Sequence, residues 1–424
     1  MAPSFAVHAR RGAAALATAA VLGVAVAPAA LADGSPSPAA TGLYGTGDPK
    51  FDGVFRQSLA FLAQDAMGVR PADSAVDWLA GQQCADGGFP GYRADTTKAC
   101  DPKKDEFTDA TAAAVQALAA VGGRDEAVKK GLDWLKAHQT ALGGWGYQAG
   151  SPTDANSTSI AIGAFAAAGQ DPAKAAVKNG KNPVETLLTF QIGCGAKEGE
   201  RGAFAYLADQ NALRADNLAS AAAGLATRGK GYQVEPLKKG SDRPVEPLDC
   251  SSDTNKRPKD AAAAAEAVDG YLSATLDKNG GHLLPSMPGA PAKPDHGTTA
   301  DAALALAAGG HREAAEKPLT WLRSKESGTA EWAKGNPGRL AKLILATHAA
   351  GGDPRDFAGT DLVAALNGTG PKPEATGAAQ EKKDEKKKKD GDDGVGIWWF
   401  VAIFFVASVG VGFLLSGRQK KTEL

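Results

Sequence analysis

The chain has 424 residues, with 47 Lys or Arg against 48 Asp or Glu, a formal net charge of −1. Such balance leaves no basic field aimed at nucleic acid. Alanine dominates, β-branched residues are sparse and aromatics make up only 6%, so the body is expected to be all-α.

Taken in chain order, Arg10 and Arg11 precede an Ala/Val/Leu run, and Ala30-Leu31-Ala32 supplies small residues for cleavage. Residues 1–32 therefore read as a signal peptide of the Sec type and 33–50 as an N-terminal linker. At the other end, residues 397–415 (IWWFVAIFFVASVGVGFLL) are uncharged and followed by Arg418, Lys420 and Lys421. A helix of that length spans a hydrocarbon core, and the basic tail marks the cytoplasmic side. The expected organisation is a folded domain at 51–368, a spacer at 369–394, a transmembrane helix at 395–416 and a cytoplasmic tail at 417–424. Residues 381–393 hold six lysines and six acids, a solvated run that would lift an extracellular domain off the membrane.

Between these ends a unit of about fifty residues recurs. Its first element is a helix ending in a Gly-rich turn with a bulky residue, as in WLAGQQCADGGF (78–89), WLKAHQTALGGWGY (134–147), LLTFQIGCGAKEGERGAFAY (187–206), YLSATLDKNGGHLL (271–284) and WLRSKESGTAEW (321–332). Its second is an Ala-rich helix that starts at Asp, Asn or Thr and stops at Gly, at 108–123, 154–169, 214–229, 295–310 and 336–352. The Ala-rich helices are apolar nearly all round and read as an inner layer; the Trp-Leu helices carry charge on one face and suit an outer one. Adding 54–68 and 361–368 gives six helices of each type, and six such hairpins close into an α6/α6 toroid. Inner helices then start at one mouth, which should gather Asp109, Asp154, Asn156, Asp216, Asp295 and His296 near the aromatic turns at Phe89, Tyr92, Trp145 and Tyr147.

Four cysteines in an exported chain suggest two disulfides. Of three connectivities, Cys84–Cys100 with Cys194–Cys250 is the simplest, because each pair brackets one excursion between helices. No CxxC or nearby histidine supports metal ligation.

Gln82-Gln83-x-x-Asp86-Gly87-Gly88-Phe89 resembles the repeat of the prenyltransferase and squalene-cyclase superfamily, and Asp109-x-Thr111-Ala112, Asp154 to Thr158 and Asp295 to Thr299 resemble its inner-helix starts. The resemblance covers about residues 51–368 and implies the toroid; enzymes and pure binders share it. The DxDD acid of its terpene cyclases is matched only by Asp154-Ala155-Asn156-Ser157-Thr158, with asparagine at the donor position. Asp249-Cys250 with His296 lacks the spacing of the family's zinc site, and Gly193-Cys194-Gly195 resembles a thioester motif but has Lys197 where glutamine is needed. The expected function is therefore ligand binding without catalytic residues, metal or resident cofactor. By similarity to the transcobalamin and intrinsic-factor α-domain, the ligand would be a cobalamin-like corrinoid passed to a membrane uptake transporter, with His296 a candidate axial ligand. The alternatives are a terpene-cyclase or prenyltransferase type of enzyme and a glycan- or protein-binding surface module.

Overall fold

The computed structural model describes residues 42–374, apart from 209–212, 254 and 287–288. The segments read as signal peptide, charged spacer and transmembrane helix lie outside the described residues. Among the described residues no helix is long and apolar enough to cross a membrane.

Fourteen α-helices are described. Six are the Ala-rich ones: α1 (Gly53–Ala66), α3 (Thr108–Val121), α5 (Ala155–Ala167), α8 (Asn217–Ala226), α10 (His296–Ala308) and α13 (Pro337–Ala349). Each packs on the next, and α13 packs back on α1, so the inner ring closes. Against them lie α2 (Asp73–Gly81), α4 (Asp125–Ala137), α7 (Pro183–Leu188), α9 (Ala261–Lys278), α11 (Arg312–Arg323) and α14 (Leu362–Asn367). Two short helices, α6 (Pro172–Ala175) and α12 (Thr329–Ala333), are additions to the twelve expected. Only isolated bridges, no strands, occur among the described residues. The all-α toroid is therefore present.

Alanine makes the inner ring possible, because short side chains let two helices flank each inner helix and a third cover its outer face. Residues such as Ala112, Ala164, Ala223 and Ala305 are fully buried. Outer helices need one apolar stripe only: α4 buries Leu132, Trp134 and Leu135 and exposes its charges.

Two repeated bonds join the layers. The bulky residue of each turn donates its backbone N–H to a hydroxyl one turn into the next inner helix: Phe89 to Thr111 at 2.8 Å, Trp145 to Thr158 at 3.0 Å, Phe204 to Ser220 at 2.9 Å and Leu283 to Thr299 at 3.0 Å. A glutamine before three of those turns, buried at 139 and 191 and half-buried at 83, ties its own turn to the following outer helix or segment. Gln83 Nε2 donates to the carbonyls of Gly87 and Ala127, Gln139 to Gly143 and Ala176, and Gln191 to Gly202 and Ala264. The turn glycine is required twice over at Gly87. It holds φ +105°, and a Cβ there would lie 2.2 Å from the Lys130 carbonyl oxygen.

The domain begins before residue 51. Tyr44 is fully buried, its N–H donates to Gln57 Oε1 at 2.9 Å, and Gly45 N–H reaches the Thr369 carbonyl at 2.7 Å. Residues 42–50 are thus part of the toroid rather than a free linker.

The long connection from α8 to α9 was expected only as an excursion. Its first part crosses the end of the ring where the inner helices finish. Lys230 N–H bonds the Leu225 carbonyl, Tyr232 N–H the Gln116 side chain, Leu237 N–H the Ala349 carbonyl and Arg243 N–H the Gly310 carbonyl, while Gln233 Nε2 reaches the Leu62 carbonyl. Gly231 lies against Gly163, where a side chain would collide with Gln116 and the Gly163 carbonyl. All six inner helices are touched. The space left between Gln116, Ile160, Leu225 and Tyr232 is about 20 Å³, room for about one water. One end of the toroid is sealed, and the fold is a cup.

Both disulfides are formed as expected, Cys84–Cys100 and Cys194–Cys250, with Cα separations of 5.9 and 5.5 Å.

Candidate functional site: the mouth of the cup

The inner helices begin at the open end, where their first turns leave backbone N–H groups unpaired by the helix itself. Three of the expected acids answer that need. Asp154 accepts from Ser157 N and Oγ at 2.7 and 2.8 Å, Asp216 from Ala219 N at 2.8 Å, and Asp295 from Thr298 N and Oγ1 at 3.0 and 2.7 Å. Asn336 does the same for Arg339 N at 3.0 Å. These carboxylates are N-caps. Asp154 is only 2% exposed, so the position of the cyclase-like motif is spent on capping.

Asp109 differs. The cap position of α3 is Phe107, which caps nothing with its side chain, and Asp109 sits two residues further in. Its Oδ1 accepts from Ala110 N at 2.8 Å. Burial first, then the charge of Asp154, pushes its pKa up to about 6. Asn156 on α5, Leu218 on α8, Gly297 on α10 and Gly338 on α13 hold the equivalent position, two past the cap. Leu218 is 40% exposed within an otherwise buried helix, so this position meets solvent there, whereas Gly338 is buried against Arg56. One turn deeper are Asp301 on α10 and Lys342 on α13. Both are enclosed by the ring yet still reached by solvent, and Lys342 Nζ binds Asp301 Oδ2 at 2.5 Å. Burial raises the Asp301 pKa, Lys342 opposes this, and Asp295 adds to it.

Phenols complete the lining. Tyr206 lies among Asp154, Asp109 and Asp216, and its pKa is pushed up to about 12, by burial and then by those carboxylates. Tyr147, 45% exposed, packs on Phe107 with ring centroids 4.9 Å apart. Tyr232 of the closing segment rests edge-on against Phe55 at 6.3 Å and senses both Asp301 and Asp109. A lumen with acids, an amine, an amide and phenols can form many directed hydrogen bonds.

Four other expected site residues turn out differently. Phe89 and Trp145 are fully buried between the rings, because their backbone N–H groups are bound to Thr111 and Thr158 and their rings fill the layer behind. They are core residues, not ligand contacts. Tyr92 stacks on Trp78 of the outer helix α2 at 6.3 Å. His296 is at the rim, where its Nε2 lies 2.6 Å from the Ser327 carbonyl, its ring stacks on Trp332 and Trp321 lies tilted against it. Asp301 and Lys342 are not among the expected site residues, although Asp301 is the one carboxylate of the Ala/Leu-rich α10 and Lys342 interrupts the apolar run from Leu340 to Leu345 in α13.

No protein-family model matches the chain, and no curated protein matches it. Among solved structures, a protein from Actinoplanes is 14% identical, with TM-score 0.44, over 73% of this chain and 92% of that one. A glycosidase is 14% identical, with TM-score 0.41, over 73% and 88%. A glycosidase in complex with glucose gives 14% identity and TM-score 0.40 over 71% and 86%. At that distance the likeness carries no functional information.

Proposed function

We propose that the chain is an exported, membrane-held binding module that captures a hydroxyl-rich small molecule of the carbohydrate class in the mouth of the cup. The observation that carries this is the lumen itself: Asp109, Asn156, the Asp301–Lys342 pair and the phenols of Tyr147 and Tyr206 alternate acceptors and donors beside aromatic edges. Hydroxyls paired by such groups recover the hydrogen bonds they lose on leaving water. The export and the tether rest on the terminal segments, and they would place the open mouth outside the cell. A corrinoid draws no specific support beyond the resemblance, and His296 Nε2 already lies against the Ser327 carbonyl.

A second reading is hydrolysis of the same ligand class. It is favoured by Asp109, an acid in the lumen that is free of the capping duty and whose pKa burial pushes up to about 6.

Titration of the full chain with a panel of neutral and amino-substituted oligosaccharides, followed by calorimetry, tests the proposal. A saccharide should bind, and Asp301→Asn with Lys342→Met should weaken it by about tenfold or more, a loss of about 1.4 kcal/mol, with less effect on thermal stability. Release of reducing ends, abolished by Asp109→Asn, would select the second reading. If no saccharide binds at millimolar concentration, or if native mass spectrometry finds a retained ligand without hydroxyls, the proposal fails.

A further inference from the structure

The closing segment is held at its far end by five charged or titratable side chains. Asp269 of α9 and His311, which precedes α11, are both fully buried. Asp269 Oδ2 receives Arg228 Nη2 at 2.5 Å and lies 3.0 Å from His311 Nε2. His311 Nδ1 lies 2.8 Å from the Arg243 carbonyl. Glu266 of α9 reaches Arg243 at 3.1 Å, Arg228 at 3.5 Å and His311 at 3.8 Å. Arg228 and Arg243 flank the segment that seals the cup, and Arg243 also donates to the Gly309 carbonyl at 3.1 Å. Two guanidinium groups already occupy the cationic places, so this cluster is no metal site.

His311 Nδ1 is hydrogen-bonded to the Arg243 carbonyl, while Nε2 faces the Asp269 carboxylate at ion-pair distance, off the alignment of a hydrogen bond. A neutral imidazole has one N–H to give and would set its lone pair against the other acceptor. The second proton has two possible homes, and Asp269 Oδ2 is the poorer one because it already accepts from Arg228. The room for the cluster is itself built in. At Gly309 a Cβ would stand 2.4 Å from Asp269 Oδ2 and 2.6 Å from the His311 ring.

We propose that this cluster is a proton-dependent latch: as an imidazolium, His311 fastens segment 228–243 across the floor of the cup, and loss of its proton frees that end of the segment. The neighbouring charges from each element are Asp269 and Glu266 of α9, Arg228 after α8, Arg243 of the segment, and Arg312 of α11. The Arg312 guanidinium binds the Leu237, Lys238 and Ala350 carbonyls. Burial alone would lower the His311 pKa, but the close contact with Asp269, the bond to the Arg243 carbonyl and the charge of the two carboxylates outweigh it and hold it above the ordinary histidine value. A raised value means that the stabilisation is complete below the unfolded-state pKa and disappears as pH rises through the folded one. The consequence is a cup sealed at mildly acidic to neutral pH whose floor loosens in base. The latch is independent of the ligand's identity.

Hydrogen exchange of the full chain, corrected for intrinsic rates, tests it at about pH 6 and about pH 9. Amides of residues 232–243 should lose protection by about tenfold or more for each unit of raised pKa crossed, while α5 amides do not. In His311→Gln the two pH values should give the same protection of that segment. Ring-nitrogen NMR shifts of the unsubstituted chain cover the case where the variant does not fold, and they should show an imidazolium at about pH 6. Protection that does not change with pH, a change that persists in His311→Gln, or a neutral His311 ring at the lower pH would each overturn the latch.

Discussion

Replacing Gln191 by alanine should cost far more than its position between two loops suggests. The side chain is 2% exposed, and its amide donates to the Ala264 carbonyl at 2.8 Å and the Gly202 carbonyl at 3.2 Å. Deletion removes two hydrogen bonds of about 0.5–1.5 kcal/mol each and leaves buried carbonyls without a donor, so a loss of about 2–4 kcal/mol is expected. For a domain of this size that lowers Tm by roughly 3–6 °C. The fourth repeat provides the control. There the glutamine position, six residues before the turn's bulky residue as at Gln83 and Gln139, holds Asp277, which links to the next outer helix through an ion pair with Lys317 at 2.8 Å. Both partners are about half exposed, so Asp277→Ala should cost about 0–1 kcal/mol. Urea denaturation of the two variants measures the difference. If Gln191→Ala costs no more than Asp277→Ala, the repeated glutamine is not what ties the turns to the outer wall.

Thr158→Val removes the hydroxyl that receives the Trp145 N–H and should cost about 1–3 kcal/mol, whereas Thr158→Ser should cost less than half as much in the same denaturation assay. Asp109→Asn should stabilise the protein. An acid whose folded pKa is raised to about 6 penalises folding increasingly as pH climbs from its unfolded value through the folded one, so the gain should be absent near pH 4 and reach up to about 3 kcal/mol above pH 7. Equal melting curves for the two proteins at both pH values would show that Asp109 sits in ordinary solvent. Opening Cys84–Cys100 with a paired serine substitution should cost about 3 kcal/mol, and opening Cys194–Cys250, which spans a longer loop of 56 residues in separation, about 4 kcal/mol. Denaturant midpoints would rank them, and the reverse order would contradict the loop-length argument.

The ring was legible because its causes are local. Ala-rich helices with a polar start and a glycine stop can be counted, and their lack of a polar face says that they are surrounded. The third outer helix was less so: the Trp-Leu pattern is missing there, and the wall is made of the six-residue α7 and the disulfide-bound segments beside it. The closing segment left no periodic trace, since residues 228–243 form no helix and are held by side chains far away in sequence, such as Gln116 and Arg312. At the mouth, spacing alone treats Asp109 and Asp154 alike. Only the backbone shows that one caps a helix and the other does not, a difference that depends on where α3 begins relative to Phe107.

Ring closure brings the two ends of the domain together. Tyr44 and Gly45 touch Pro371 and Thr369, and Gln64 of α1 donates to Asn367 of α14 at 2.8 Å. The chain therefore enters and leaves through a single seam, like the clasp of a bracelet. A load applied through the two termini would pull on that seam alone and leave the other five joints slack, so the first event under tension would be the parting of α1 from α14 and not the loss of the cup. Splicing the two ends together and cutting the chain at another outer turn should yield the same bracelet with its clasp moved.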